Sequence, residues 1–214
     1  MSTYAYLGPR GTFTEAALLA MPQSAGAELR PVASVATALQ MVRNNEVTGA
    51  LVPIENSVEG SVPTTLDELS HGSLLQIVDE IAIPVVFALL VRPGTSISEI
   101  KRVATHPHAH AQCAKWIANN LPDVHVLPAM STAAAAAELT EGANYQAAIA
   151  STAAAAHYGL EILRDGIADQ SAAWTRFILV RNPGHLLAPS GNDKTTMSLF
   201  MHEDHPGALL EILT

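Results

Sequence analysis

Short apolar runs alternate with helix-opening signals along most of this chain. Tyr4-Ala-Tyr-Leu7, Gly49-Ala-Leu-Val52, Arg102-Val-Ala-Thr105, Val124–Leu127, Ala147-Ala-Ile-Ala150 and Ile178–Val180 read as strands, and Gln76–Val91 reads as strand-rich with Pro84 interrupting it. Between them Val35–Asn44 and Val62–Leu69 read as helices. Thr12-Phe-Thr-Glu15 has the form of a capping box opening a helix over Glu15–Leu19. Pro107 suits the first position of another helix, and Ser131-Thr-Ala-Ala and Ser151-Thr-Ala-Ala open two more. Strands alternating with helices predict an α/β class with mostly parallel sheets. Ligands of such sheets bind beyond the carboxyl ends of the strands, where the polar clusters of this chain fall.

The pattern changes after residue 182. Asn182–Asp193 has the Pro, Gly and polar content of a linker. Thr195–Met201 alternates as a half-buried strand, and His205–Leu213 begins a helix, with Pro206 as its expected start. One strand and one helix bury no core of their own, so 195–214 is expected to be the cut-off beginning of a second domain. The duplicated Ser-Thr-Ala-Ala-Ala-Ala at 131–136 and 151–156 is informative in its caps, since a bias toward alanine explains the rest.

Composition narrows the class. With 214 residues, 49% hydrophobic and 14% charged, the chain has material for a sizeable core. No apolar run reaches the roughly 20 residues a bilayer demands, and Met1-Ser-Thr-Tyr-Ala-Tyr has neither a basic start nor an apolar signal core. A single cysteine, Cys113, excludes an internal disulfide. A cytoplasmic protein without a membrane partner is expected. Eleven Lys+Arg against twenty Asp+Glu, net −9, argue against nucleic acid as a partner. An anion would therefore be held by local positive potential, from helix N-termini or a few arginines.

The candidate chemistry centres on Ala173-Trp-Thr-Arg-Phe-Ile-Leu-Val180, where a hydroxyl and a permanent cation open an apolar strand. Arg176 carries a planar fork suited to a carboxylate; the plainer alternative is an ion pair with a local acid. His106, His108, His110 and Cys113 have the chemistry to bind zinc. The first two histidines straddle Pro107 at a helix start, so capping or surface roles are expected, with Cys113 buried and inert. Gly8-Pro-Arg-Gly11 lacks the ending of a phosphate loop. Trp174 is expected to pack at a cleft edge.

Five ordered motifs carry a resemblance to a known family. Gly8-Pro-Arg-Gly-Thr-Phe-Thr-Glu15, Pro53-Ile-Glu-Asn-Ser-Val-Glu-Gly60, His106-Pro107 with Gln112-Cys113, Ser131-Thr-Ala133 and Thr175-Arg-Phe177 resemble prephenate dehydratases over about residues 4–181, and Pro206-Gly-Ala-Leu209 resembles the start of an ACT regulatory domain. The resemblance implies a two-lobed, type II periplasmic-binding-protein-like catalytic domain over 1–182. Lobe 1 is expected over about 1–75 and 160–182, and lobe 2 over about 76–159. A linker over 183–194 and a truncated α+β ACT domain over 195–214 would follow, with Pro206, Gly207, Ala208 and Leu209 as regulatory residues. It implies conversion of prephenate to phenylpyruvate, carbon dioxide and water, phenylalanine as effector of the intact protein, and a homodimer or homotetramer.

Prephenate is a dicarboxylate with a hydroxyl leaving group, and the aromaticity of the product drives the bond breaking. No metal or other cofactor is expected. The resemblance makes Thr175 the essential residue, aiming a hydrogen bond at the departing hydroxyl, with Arg176 gripping a carboxylate and Asn56 and Ser57 adding neutral polar contacts. Thr12, Ser131, Thr132, Ser151 and Phe177 are expected to contact substrate. Glu55 is expected to be structural, since a carboxylate beside a dianion is repelled. One departure is Ala173, where the family often carries Asn. Arogenate as substrate, and a non-catalytic small-molecule binder on the same scaffold, stay open.

Overall fold

The computed structural model describes residues 1–170, 172–184, 188–189, 191–200, 203 and 205–214. The chain separates into two units, Met1–Pro183 and Gly184–Thr214. The first holds two sheets. Strands β1 (Thr3–Leu7), β2 (Glu28–Val32), β3 (Gly49–Asn56), β5 (Gln76–Pro84) and β11 (Trp174–Arg181) form one in the order β2-β1-β3-β11-β5, with the short β4 (Gly60–Ser61) on β3. Strands β6 (Phe87–Val91), β7 (Arg102–Thr105), β8 (His125–Pro128), β9 (Ala147–Ser151) and β10 (Glu161–Arg164) form the other in the order β10-β6-β9-β7-β8.

Both sheets are mixed rather than mostly parallel. β1 pairs parallel with β2 and β3, and β7 pairs parallel with β8 and β9. β11 is antiparallel to β3 and β5, and β6 is antiparallel to β9 and β10. The antiparallel strands are those that carry the chain between the sheets. The crossings also move the lobe boundaries away from 75/76 and 159/160. β5 pairs with β11 in the first sheet, and β10 pairs with β6 in the second. Pro84 marks the real junction: it ends β5, and the next N–H, of Val85, bonds to Ala173 O at 2.8 Å. β2 has no apolar run to announce it. Glu28-Leu-Arg-Pro-Val32 is a polar edge strand, where a proline and charges are tolerated because one side needs no partner.

Each sheet is covered on both faces. In the first, Tyr4, Tyr6, Leu51, Phe177 and Leu179 pack with Ala17 and Leu18 of α1 (Phe13–Ala20). Alternate residues of the same strands, Ala5, Ala50, Val52, Ile178 and Val180, pack with Val35, Ala38, Leu39 and Val42 of α2 (Val35–Arg43) on the opposite side. This is the period of two expected of strands buried on both faces. α3 (Pro63–Ser70) is pinned to β3 by the fully buried Thr65, whose hydroxyl donates to Pro53 O at 2.6 Å. In the second lobe, α4 (Pro107–Asn120) covers Leu89, Val103 and Ile149 with Ala109, Cys113 and Ile117. α5 (Thr132–Thr140) and α6 (Thr152–Tyr158) cover Ala88, Ala148 and Ala150 with Ala135, Ala136, Ala154 and Ala155. The alanine runs thus make a close helix–sheet contact of small side chains, rather than following from composition alone.

In the unit Gly184–Thr214, α7 spans Ala208–Leu213 behind Gly207, whose φ of +97° marks the turn into it. Pro206 therefore precedes the cap instead of starting the helix. The strand expected at 195–201 is not formed over 195–200, and Met201 lies outside the described residues. Among the described residues, no helix is long and apolar enough to cross a membrane.

Candidate active site

Strand direction gathers the polar clusters at one place. β1, β2, β3 and β5 all end at the same edge of their sheet, and β11, running the other way, begins there. The carboxyl ends of β7, β8 and β9 likewise share one edge of the second sheet. The two edges meet where the chain crosses between the lobes.

At that junction Thr175 pairs with Asn56 across β11 and β3. Thr175 is only 8% exposed, and its Oγ1 receives the Asn56 Nδ2 amide at 2.9 Å. The orientation of that amide is decided by its other end: Asn56 Oδ1 accepts the backbone N–H of Val58 at 2.8 Å and of Glu59 at 3.2 Å, so nitrogen must face Thr175. A hydroxyl that accepts one bond from an amide keeps its own proton to donate. Ser57 closes the turn on the other side, with its Oγ accepting Trp174 N–H at 2.9 Å and its N–H bonding Trp174 O at 3.0 Å. Trp174 itself is 37% exposed at the rim.

Arg176 lies on the opposite face of the strand. The β3–β11 register slips by one residue between Arg176 and Phe177, a bulge that sets Ile54 against the α2-side core and Glu55 opposite Arg176. The guanidinium bonds Glu55 Oε2 through Nη2 at 2.8 Å and Nε at 3.2 Å, and Glu80 Oε2 through Nη1 at 3.1 Å. The plainer alternative for Arg176, an ion pair with local acids, is the arrangement seen here, made with two protein carboxylates. Glu80 is a site residue that the motifs do not mark; its signal is a charged pair, Asp79-Glu80, inside the otherwise apolar run 77–84.

The other expected contacts divide similarly. Phe177 is 2% exposed and packs with Tyr6, Leu51 and α1, which leaves it no ligand surface. Thr12 caps α1, accepting Glu15 N–H and donating to Leu7 O, so its hydroxyl is engaged in both directions. The capping box is only half made: the Glu15 carboxylate takes Gly11 N–H at 2.6 Å and the Tyr6 hydroxyl at 2.6 Å. Burial and the Glu15 carboxylate both push the Tyr6 phenol above its ordinary range. Ser151 caps α6, accepts Ala154 N–H and donates to Gly11 O at 2.8 Å, with 3% exposure. It is a joint between the lobes rather than a substrate contact. Tyr158 adds to that joint by donating to Arg10 O at 2.8 Å, and Phe13 stacks edge-on against Phe87 at 5.6 Å. A side chain at Gly11 would meet Ala154 Cα at 3.0 Å, so this docking requires glycine. Ser131 caps α5 through Ala134 N–H and, with Thr132, stays partly exposed.

The histidines do not converge with Cys113. His106 caps α4, its Nδ1 accepting the His108 N–H, and the two rings stand edge-to-face at 4.8 Å. Burial and the neighbouring His108 lower the His106 pKa, against an opposing pull from Glu59. Cys113 is fully buried on the sheet-facing side of α4, and burial with the nearby Asp169 pushes its thiol up to about 12, which keeps it protonated and unreactive. Among the described residues, no three His, Cys, Asp or Glu side chains are placed to hold a metal ion.

The prephenate dehydratase family model matches residues 4–185. The chain belongs to that family. A prephenate dehydratase of Mycobacterium marinum is 43% identical over 222 residues, which cover all of this chain and 70% of the relative. The solved prephenate dehydratase of Arthrobacter aurescens, in complex with L-Phe, is 49% identical with a TM-score of 0.92, over 99% of this chain and 70% of that one. A structure described as a novel type of quorum-quenching acylase is 31% identical with a TM-score of 0.76, over 87% of this chain and 66% of that one. Relatives of the prephenate dehydratase family thus cover the whole junction described above.

Proposed function

We propose that the cleft converts prephenate to phenylpyruvate, carbon dioxide and water, the dehydratase step of phenylalanine biosynthesis. The observation that carries the reading is the Thr175 hydroxyl, held by the Asn56 amide with its proton left to give. As the ring carboxylate departs as carbon dioxide, the electrons of its C–C bond complete the aromatic ring and the ring C–O bond breaks. The charge growing on the leaving oxygen meets the Thr175 O–H. The hydroxyl departs as hydroxide hydrogen-bonded to Thr175, and a proton drawn from solvent completes the water. Threonine is a weak acid, so its contribution is a hydrogen bond aimed at developing charge in a site shielded from water.

Arg176 is a support for this strand end and holds no substrate. The carboxylate grip falls to the N-terminus of α5, where Ser131 and Thr132 offer hydroxyls beside backbone N–H groups and the positive end of the helix dipole. Thr12, Ser151 and Phe177 hold the lobes and the core. The strand order β2-β1-β3-β11-β5, with antiparallel β11 inserted, supports the type II binding-protein-like reading of the lobes. Residues 195–214 are read as the beginning of an ACT-type regulatory domain, with Pro206, Gly207, Ala208 and Leu209 in it. Phenylalanine is its effector, as the L-Phe complex of the Arthrobacter relative supports. A cytoplasmic homo-oligomer fits this role.

The test gives the purified protein prephenate, with phenylpyruvate absorbance as the readout, and separately arogenate, with formation of phenylalanine, which lacks the side-chain ketone, measured by amino-acid analysis. Turnover of prephenate supports the reading. Turnover of arogenate alone moves the substrate, and turnover of neither overturns the reading.

A further inference from the structure

One contact across the cleft is unused by the chemistry above. Glu59 lies in the turn between β3 and β4, in the first lobe, and His108 in the first turn of α4, in the second. Glu59 Oε2 and His108 Nδ1 are 2.7 Å apart. The same turn is tied to the catalytic strand through one side chain: Asn56 accepts Val58 N–H and Glu59 N–H at Oδ1 and donates to Thr175 Oγ1 from Nδ2. His108 is fixed in turn by His106, which accepts its N–H and stacks against its ring. A continuous path therefore runs from helix α4 through Glu59 and Asn56 to the Thr175 hydroxyl.

We infer that Glu59 is a positioning residue, and that its contact with His108 sets the Asn56 amide, and with it the Thr175 hydroxyl, when the lobes close on the substrate. Three features support this. The pair is exposed at 39% and 64%, so it adds little to stability; its consequence is geometric. The carboxylate sits at the positive end of a 14-residue helix, which favours it there. The Asn56 amide has no slack, because both ends are bonded, so a shift of the turn is passed on to Thr175. Misplacing a catalytic group by a fraction of an ångström lowers turnover, whereas the bound substrate is held elsewhere.

The inference rests on the dehydratase reading, and the two fail differently. Absence of prephenate turnover in the wild-type protein defeats the reading. With turnover in hand, Glu59→Gln and His108→Ala should each lower kcat about 10-fold with KM little changed. The double variant should fall no further than either single one, since both break one path. Glu59→Asp, which keeps the charge, should recover part of the loss. Independently of activity, the Asn56 side-chain amide resonance in an NMR spectrum should shift in His108→Ala. Unchanged kcat, fully additive losses, a loss confined to KM, or an unmoved Asn56 resonance overturns the inference.

Discussion

Thr175 and Arg176 are neighbours on one strand, and the structure treats them in opposite ways. The threonine lies on the strand face of Phe177 and Leu179, receives one hydrogen bond from a neutral amide and retains a proton. The arginine shares the α2-side face of Ile178 and Val180, and Glu55 and Glu80 take a bond from each of its three nitrogens. Alternation along a strand separates the two by construction, so a hydroxyl and a cation adjacent in sequence do not act on one ligand atom. A group that retains bonding capacity can serve a substrate; a group whose partners are already in place serves the fold. The distinction between spare and spent capacity sorts the other site residues as well.

The sharpest way to break this comparison is Thr175→Ala. Loss of one aimed donor from a preorganised site costs on the order of 100- to 1000-fold in kcat, and KM and melting temperature should move little, because the Asn56 turn keeps its backbone bonds. Turnover near wild type would remove the threonine from the chemistry. Asn56→Asp follows. The shape is unchanged, but a carboxylate accepts where the amide donated, so Thr175 would spend its proton on residue 56 and a negative charge would face a dianionic substrate. A fall in kcat of roughly 10- to 100-fold is expected, measured by initial rates beside the wild type; no change would mean that the direction of the Asn56–Thr175 bond is immaterial.

On the other face, Arg176→Met should chiefly destabilise. It leaves Glu55 and Glu80 close together with no cation between them. The arginine is 33% exposed, so the loss should fall between that of a surface pair and a buried one, about 2 kcal/mol, read from urea denaturation midpoints. A stable variant with a strongly raised KM for prephenate would instead return Arg176 to the substrate.

Much of the fold was legible because its signals are local. Thr12, Ser131 and Ser151 each cap the helix they announce, and Pro107 sits at the first turn of α4. The polar edge strand β2 and the return strand β10 were not legible, because edge strands need no apolar run. The lobe boundary is not legible because Pro84 interrupts a continuous strand-rich segment in sequence, whereas in the fold it ends pairing in one sheet just before β6 opens the other. The encounter of Thr175 with Asn56 and Ser57 follows from β11 running against β3, a tertiary fact that the ordered motifs imply and hydropathy does not. The partners of Arg176 were hidden for a related reason: a bulge at Ile54 sets which side of β3 Glu55 takes, and no pattern of two reports a bulge.

The repeated caps give the finest version of the comparison. Ser131 and Ser151 open identical Ser-Thr-Ala-Ala-Ala-Ala segments and accept equivalent N–H groups, from Ala134 and Ala154. Ser131 is partly exposed, while Ser151 is buried and donates to Gly11 O across the lobe joint. Alanine at either position removes a cap, worth about 1 kcal/mol. Ser151→Ala also strips a buried carbonyl of its partner, which adds about 1 kcal/mol or more, so it should be the less stable of the two. The activities should separate in the opposite sense. Ser131→Ala should raise KM for prephenate by a few-fold through loss of one hydroxyl to a substrate carboxylate, at nearly native melting temperature. Ser151→Ala should retain KM once assayed well below its melting temperature. Equal stability losses would show that the Gly11 bond contributes nothing to the joint, and a KM effect confined to Ser151→Ala would exchange the roles of the two helix ends.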